Sequence, residues 1–403
     1  MKKILLGTSA LCAVVAAGPA FAQSASQPVK LGFGGYWNSA YGYLAQQSGG
    51  VKGSHRSDDI DTDVVIAVQG STKFDNGLTA GVSVQFRGED LVPGTSTSPS
   101  GANSSPDTIK RSYGYITSDF GQIRIGDDDD ARRHLAMTAP TAGGGDLFGA
   151  NTPDMTFFNG GPGTNTTMRK LEGDKRIDRL AYFSPTIAGF SFIVSYAPGG
   201  EKGGTGEAGA PVNTATNGIN VVNDAVSVAA GYSGKFSDIS LDAYVGGSSG
   251  HRVVTAAQTT AGLGIRTGAN NPSAVGGGAV LGFGPFKFGG AYERLYDRDL
   301  PNSTATVAGN HQTRNTFDVG PEFIAGPFSV SIDWVRGIWG NVNGNSSGIL
   351  DTISLPVDYV LGPGVAVGAA IEFNHWHNPG AASGTSLASG TGTALMTGVS
   401  FSF

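Results

Sequence analysis

The sequence predicts an all-β protein that crosses a membrane as an antiparallel β-barrel of about sixteen strands. Segments of roughly ten residues that alternate apolar with polar or small residues recur along the chain, as in strands with one oily and one wet face. Short and long connections alternate between these segments. The chain also ends on such a segment, and its last residue is Phe403. A soluble edge strand of this kind would promote aggregation, whereas a closed barrel surrounded by lipid requires it.

The first 22 residues are predicted to be a cleaved signal peptide. Two lysines precede an apolar stretch that ends at the small-x-small site Ala20-Phe21-Ala22. The sole cysteine, Cys12, lies inside this stretch, so cleavage would leave a chain that forms no disulfide bond. We therefore divide the sequence into a signal peptide, residues 1–22, and one barrel domain, residues 23–403.

Composition excludes several classes of protein. The net charge of −6 argues against nucleic acid as a partner. After the leader, no segment approaches the roughly 20 apolar residues of a membrane-spanning helix. Mean hydropathy is −0.06, which fits a barrel because lipid-facing and water-facing residues cancel in any window. Two packed soluble sandwiches are the alternative, but these would place short loops at both ends of the strands.

The strands are predicted from the turns that separate them. Short connections carry turn residues, such as Asn76-Gly77 and Gly362-Pro363-Gly364, and long ones are rich in Gly, Ser, Thr and Asn. Every short turn falls on one side of the sheet and the strand count is even, as in barrels with periplasmic turns and extracellular loops. The predicted strands are 30–45, 60–74, 78–88, 109–118, 121–127, 176–184, 189–197, 224–235, 238–248, 273–284, 286–297, 314–325, 327–338, 349–361, 364–376 and 393–403.

Aromatic residues lie near several predicted strand ends. Amphipathic rings favour the headgroup level of a bilayer, so we expect girdles at the strand ends. Ordinary strand aromatics, the alternative, explain each residue singly about as well. The residues concerned are Tyr36, Trp37, Tyr41, Tyr43, Trp334, Trp339 and Trp376.

Three sequence segments resemble the Gram-negative general porins of proteobacteria, the sixteen-stranded trimeric family. They are the run from Arg179 to Tyr196, the stretch from Ser112 to Gly126, and the closing Val399-Ser400-Phe401-Ser402-Phe403. The resemblance implies an outer-membrane homotrimer with a water-filled channel for small hydrophilic solutes and ions. It also implies contact with lipid and lipopolysaccharide, and a long third loop that folds into the barrel. Finally, it implies that the outer-membrane assembly machinery recognises the terminal Phe403.

The longest internal connection, about 128–176, follows the fifth predicted strand, where the family places its constricting loop. Strand alternation points cations of the third, fourth and fifth strands inward. Cations facing carboxylates across a narrowing would create a transverse field that orders water and selects among solutes. The predicted pore constriction comprises Arg87, Lys110, Arg124, Asp127, Asp128, Asp129, Asp130, Arg132, Arg133, Asp146 and Asp154.

Two other interpretations of the acidic run Asp127–Asp130 stay open. It could be a solvated rim, or it could bind a structural divalent cation such as calcium. Four consecutive aspartates cannot all converge on one ion from a strand, because alternate side chains point opposite ways. No other cofactor is predicted.

Candidate metal and catalytic residues are few. His375 and His377 share a strand face but have no evident third ligand, and the remaining histidines, including His134, are isolated in predicted loops. No catalytic motif is present, so an enzyme is not predicted. The alternative within the channel class is a solute-specific channel with a binding site for a sugar or an anion. A surface anchor would need a filled barrel, whereas sixteen strands leave an open lumen.

Overall fold

The computed structural model describes residues 12–14, 28–48, 57–88, 109–145, 147–151, 167, 177–199, 222–252, 271–296, 313–340, 347–377 and 389–403. In these residues the chain forms a closed antiparallel barrel of sixteen strands. The strands are β1 (Lys30–Ser48), β2 (Asp58–Lys73), β3 (Thr79–Arg87), β4 (Ile109–Ser118), β5 (Gly121–Asp128), β6 (Ile177–Phe183), β7 (Phe190–Ala197), β8 (Val222–Phe236), β9 (Ile239–Arg252), β10 (Ser273–Phe283), β11 (Phe286–Tyr296), β12 (Arg314–Ala325), β13 (Phe328–Ser331 and Asp333–Trp339), β14 (Gly348–Gly362), β15 (Val365–His377) and β16 (Ser389–Ser402).

Each strand pairs with the next along the chain, and β16 pairs with β1 to close the barrel. At this seam Phe401 lies opposite Trp37, with ring centroids 5.7 Å apart. The last residue continues the ladder: Gly35 N donates to Phe403 O at 2.9 Å and Phe403 N donates to Gly35 O at 3.1 Å. Closure pairs the two terminal strands, so the described barrel has no open sheet edge for another chain to pair with.

The predicted barrel of sixteen strands is confirmed, but one of its strands is interrupted. The predicted strand 327–338 is in two parts, because the chain leaves the ladder at Ile332. Ile332 N donates to Pro321 O at 3.1 Å. Pro321 has no N–H to return this hydrogen bond, which makes the ladder irregular at this position.

The two faces of the sheet differ as the alternation predicts. On β7, for example, Phe190, Phe192 and Val194 are exposed on the outside, while Ser195 and Ala197 are buried on the inside. Among the residues that the structure describes, no helix is long and apolar enough to span a membrane.

The predicted aromatic girdle is wrong for three of its members. Trp37, Tyr41, Tyr43 and Trp334 face outward, but Tyr36, Trp339 and Trp376 lie on the lumen parity of their strands. Trp339 and Trp376 pack with Leu350 in a buried cluster. Position near a strand end is therefore not sufficient to place a ring in the girdle, because parity decides the face.

The turn after β14 requires glycine. Gly364 has φ of +73°, a left-handed conformation that side chains other than glycine rarely adopt. A Cβ there would also lie 2.2 Å from the carbonyl oxygen of Ser402. This turn therefore brings the backbones of β15 and β16 together at a distance only glycine allows.

A further strand of three residues, Cys12–Val14, pairs antiparallel with Leu31–Phe33 of β1. It lies within the predicted signal peptide and extends the barrel wall beyond the end of β16. Cleavage after residue 22 stays a prediction.

Candidate pore constriction

A chain of contacts links the predicted lumen cations of β3 and β4. Lys110 Nζ donates to the hydroxyl of Tyr36 at 2.8 Å, and this hydroxyl donates to Asp63 Oδ2 at 2.7 Å. Arg87 Nε lies 3.5 Å from Asp63 Oδ1. Arg87 and Lys110 thus lie on the lumen side of the barrel, and their part in a pore constriction stays a prediction. Tyr36 and Asp63 were missed, although their strand parity alone would have placed them inside.

Strand β4 brings a fourth cation into the lumen. Gln85 pairs with Arg111 and Phe86 pairs with Ile109, so one extra residue, Lys110, is inserted between them. Such a bulge puts two successive side chains on the same side of the sheet. Arg111 lies opposite Gln85 in the regular part of the ladder and shares the inward parity of Tyr113, so alternation alone places it inside. The bulge allows its neighbour Lys110 to lie on the same side.

The four aspartates of the acidic run have different surroundings. Asp128 accepts a hydrogen bond from Arg124 Nη1 at 3.0 Å and lies 3.1 Å from His134 Nε2. Asp129 is paired with Arg111. Asp130 caps the short helix α1 (Ala131–Leu135) by accepting from Arg133 N at 2.8 Å. Asp127 lies on the opposite strand face from Asp128.

The interpretation of this run as a solvated rim is wrong. Asp127, Asp128, Asp129 and Asp130 are 0–3 % exposed. Carboxylates can be buried to this extent only when they are hydrogen-bonded or paired with cations, as Asp128, Asp129 and Asp130 are. His134, predicted to be isolated in a loop, is part of the same network and contacts Phe183 edge to face, with ring centroids 5.0 Å apart.

The chain after the acidic run lies against the inner wall of the barrel. We call residues 129–145 and 147–151 the inner segment. Helix α1 packs on Ile193 and Ala229 of β7 and β8. The side chain of Arg132 then reaches further round the wall, donating to Ser248 Oγ at 3.1 Å and to Glu293 Oε2 at 2.6 Å.

Arg132 is charged although it is buried. Burial alone would lower the pKa of this guanidinium, but the carboxylates of Asp130 and Glu293 outweigh that effect and raise it. The prediction that Arg132 belongs to the pore wall is therefore refined: it holds the inner segment to β11 rather than facing open water. Arg133 is half-buried on the same helix.

Beyond α1 the inner segment continues across the next strands. Its backbone donates from Ala139 N to Asp318 Oδ2 at 3.1 Å, from Ala142 N to Ser331 Oγ at 2.9 Å and from Gly143 N to Ser329 Oγ at 3.0 Å. Its end packs in a buried cluster that joins three strands of the wall, β1, β15 and β16. This cluster contains Leu147, Phe148, Ala40, Ala370, Ala394 and Met396.

Two predicted constriction residues, Asp146 and Asp154, lie outside the described residues. The same holds for most of the chain between residue 151 and β6. That the whole connection folds inward as one long loop stays a prediction, and the contacts above concern its described part alone.

In this network the cations are more exposed to water than their carboxylate partners. The side chains of Arg87 and Arg111 are each 25 % exposed and that of Arg124 is 20 % exposed. Their partners Asp63, Asp128 and Asp129 are 5 %, 1 % and 0 % exposed. Water in the lumen therefore meets guanidinium groups, with the carboxylates behind them.

This arrangement corrects the predicted transverse field. Cations and carboxylates were expected to face one another across the pore, but Arg111 and Arg124 pair directly with Asp128 and Asp129 on the same wall. The acidic run ends a strand adjacent to these arginines, so it neutralises its neighbours instead of opposing them. In the described part of the chain, no group of three or more His, Cys, Asp or Glu side chains is arranged to hold a metal ion.

A family model described as Gram-negative porin matches residues 7–377. The chain belongs to the Gram-negative porin family. It is thus an outer-membrane channel for the passive diffusion of small hydrophilic solutes and ions, and the barrel described above is its pore. Comparison with curated proteins finds no significant sequence match.

Solved porins share this fold. The anion-selective porin from Comamonas acidovorans superposes with a TM-score of 0.62 at 16 % identity, covering 93 % of this chain and all of that one. OmpT of Vibrio cholerae in its trimer form gives 0.56 at 12 % identity, covering 94 % and 100 %. A variant of the Rh. blastica porin gives 0.54 at 14 % identity, covering 93 % and 100 %. At these identities the likeness concerns the fold.

Proposed function

We propose that this porin is a general diffusion channel that prefers anions. One observation carries the proposal: in the network around the inner segment, the cations are exposed to lumen water and their carboxylate partners are not. Fixed charge near a narrowing selects ions of the opposite sign, and an arginine 20–25 % exposed acts on a permeant ion more strongly than a buried carboxylate behind it. The described contacts assign no binding site for one particular solute.

The constriction is proposed to be built by the inner segment and the basic wall beside its start. Arg87, Lys110, Arg111 and Arg124 would form the accessible charge. Asp128, Asp129, Asp130 and Arg132 would hold the segment in place. In this proposal the segment is the described part of the family's inward-folded third loop. The anion selectivity named for the Comamonas acidovorans porin supports the sign of the preference.

Reversal potentials in planar bilayers under a potassium chloride gradient test this proposal. Changing Arg87, Arg111 and Arg124 to glutamine should move the reversal potential towards cations. Arg336→Gln, which removes a positive charge from the outer face of the barrel, is the matched control and should leave the reversal potential unchanged. An unaltered potential in the triple variant would remove these arginines from the selectivity filter.

The remaining functional assignments follow from the family. We propose a homotrimer, in keeping with the trimer form of the Vibrio cholerae porin. We also propose cleavage of the leader at export, recognition of Phe403 by the assembly machinery and association with lipopolysaccharide. No catalytic activity and no cofactor is proposed.

A further inference from the structure

Two tyrosine rings lie in the lumen next to the arginines of β4 and β5. The residues of β4 that share the inward parity here are Arg111, Tyr113 and Tyr115. Tyr115 lies opposite Arg124 of β5 in the hydrogen-bonded register, and the centroids of the two tyrosine rings are 6.4 Å apart. Residues two positions apart on a strand are separated by about 7 Å, so the cations and the rings form one continuous surface. We call Tyr113 and Tyr115 the tyrosine platform.

The ring of Tyr115 lies against the wall because a glycine makes room for it. Gly81 of β3 is the register partner of Tyr115. A Cβ on Gly81 would lie 2.5 Å from Tyr115 Cζ and 2.6 Å from Tyr115 Oη, so the ring covers the position that a larger residue would fill. Tyr115 is half-buried. One face of its ring therefore lies on the wall, and the other face is turned towards solutes in the lumen.

The guanidinium of Arg124 beside the platform is held by its neighbours. Its carbon Cζ lies 4.7 Å from the Tyr113 ring centroid and 4.0 Å from the Phe183 ring centroid, and these rings belong to the two strands that flank β5. Arg124 Nη1 donates to Asp128 at 3.0 Å, and Nε donates to Gln122 Oε1. Nη2 makes no hydrogen bond to another residue that the structure describes. The guanidinium is thus oriented, with one nitrogen left to donate to a permeant anion.

A guanidinium next to an aromatic ring matches a solute that carries both a carboxylate and a ring. The carboxylate accepts charge-assisted hydrogen bonds from the guanidinium. The ring of the solute can stack on a tyrosine face, and aromatic pairs attract each other beyond what the burial of apolar area explains. An inorganic anion would use the guanidinium alone, and a neutral sugar would use the rings alone. An aromatic carboxylate uses both.

We propose that the tyrosine platform and its neighbouring arginines form a transit site for small aromatic carboxylates, the class that includes benzoate. Arg111 and Arg124 both contact the carboxylate of Asp128, so their guanidinium groups lie side by side. The carboxylate of the solute would contact these two groups, and its ring would lie on Tyr115. The site selects a chemical class and not one particular solute. This proposal rests on the anion preference proposed above and names the anions that the channel retains longest.

Block of the single-channel conductance in potassium chloride measures this site. Benzoate and cyclohexanecarboxylate carry the same charge and have a similar size, but benzoate alone has an aromatic ring. Benzoate should halve the conductance of the wild-type channel at about fivefold lower concentration than cyclohexanecarboxylate does. Equal half-blocking concentrations, or no block by either acid, would overturn the proposal.

Two variants and a control assign the effect to the platform. Tyr115→Leu removes the ring and keeps an apolar side chain, so it should bring the ratio of the two half-blocking concentrations near one. Tyr115→Phe keeps the ring and should retain the wild-type ratio, which separates loss of the ring from damage to the barrel. Tyr292→Leu is the matched control, because Tyr292 faces outward on β11, and it should leave the ratio unchanged. A wild-type ratio in Tyr115→Leu would overturn the site.

Two further measurements separate this proposal from its neighbours. Benzamide, which has the ring without the charge, should block less than benzoate does, and equal block would show that the carboxylate is not recognised and would overturn the proposal. The reversal potential of the same channels in potassium chloride alone reports the anion preference. A wild type that retains benzoate but shows no anion preference would count against the proposed function alone. An anion-preferring wild type that both acids block equally would count against the site alone.

Discussion

Arg132 Nη1 lies 2.6 Å from Glu293 Oε2, so a buried ion pair joins the inner segment to strand β11. The two residues are 161 positions apart in the chain. Both side chains are nearly inaccessible to water, at 4 % and 0 % exposure. Breaking such a pair leaves one buried charge without its partner, which typically costs about 3–5 kcal/mol.

The first prediction concerns this pair. Glu293→Gln should detach the inner segment from β11, because a buried Arg132 without its carboxylate partner is less stable than an Arg132 exposed to water. We expect a larger and noisier single-channel conductance in planar bilayers. Glu322→Gln is the control, since it also removes a buried lumen carboxylate from an ion pair but does not touch the inner segment. An unchanged trace in the Glu293 variant would show that this pair does not hold the constriction.

The second prediction separates capping from charge at Asp130. Its carboxylate caps α1 and lies 3.7 Å from Arg132 Nε. Asp130→Ala loses both roles and should lower the free energy of unfolding by about 0.5–2 kcal/mol through the cap alone. Asp130→Asn keeps a capping oxygen, so it should lose less. Thermal unfolding in detergent measures both, and equal losses would mean that the cap contributes nothing.

The third prediction concerns salt. The proposed anion preference arises from partly exposed cations, whose field reaches about 10 Å at 0.1 M ionic strength and about 3 Å at 1 M. The anion-to-cation permeability ratio should therefore fall towards the ratio of free diffusion as potassium chloride is raised at a fixed gradient. A ratio independent of salt would point instead to steric selection or to a site that binds anions.

The fourth prediction tests the turn between β14 and β15. Gly364→Ala combines a left-handed backbone with a Cβ placed 2.2 Å from the carbonyl oxygen of Ser402. Gly284→Ala is the matched control, because Gly284 also has a positive φ, +55°, but open space around its Cβ. The control should lose about 1–2 kcal/mol, and Gly364→Ala clearly more. The fraction of heat-modifiable barrel on electrophoresis measures the difference, and equal fractions would contradict it.

Much of the fold could be predicted because its signals are local. Two-residue alternation and turn residues located the strands, and the even count with one-sided short turns indicated closure. The inward direction of Arg87 and Arg124 followed from parity, since an arginine in hydrocarbon costs about 2–4 kcal/mol. Trp339 and Trp376 were misplaced because proximity to a strand end was given more weight than parity.

The site was predicted less completely, and for a physical reason. Arg111 was missed although it shares the parity of Tyr113, and Lys110 lies beside it in the lumen only because of a bulge in the register of β3 against β4. The carboxylates that meet the inner segment, Glu293 and Asp318, lie on β11 and β12, far along the chain from residues 129–151. No local sequence pattern predicts that these carboxylates contact the inner segment.

The sequence by itself determined that this protein is a closed barrel with an oily outside, a polar inside and an acidic run followed by arginines at the start of its longest internal connection. Only the tertiary structure decided that the acidic run pairs with the basic wall beside it and lies behind the arginines. The face to which a strand side chain points follows from the residues two positions away, and the sequence displays that pattern directly. Which charged groups pair depends on which strands lie side by side, and this is fixed only when the barrel has closed.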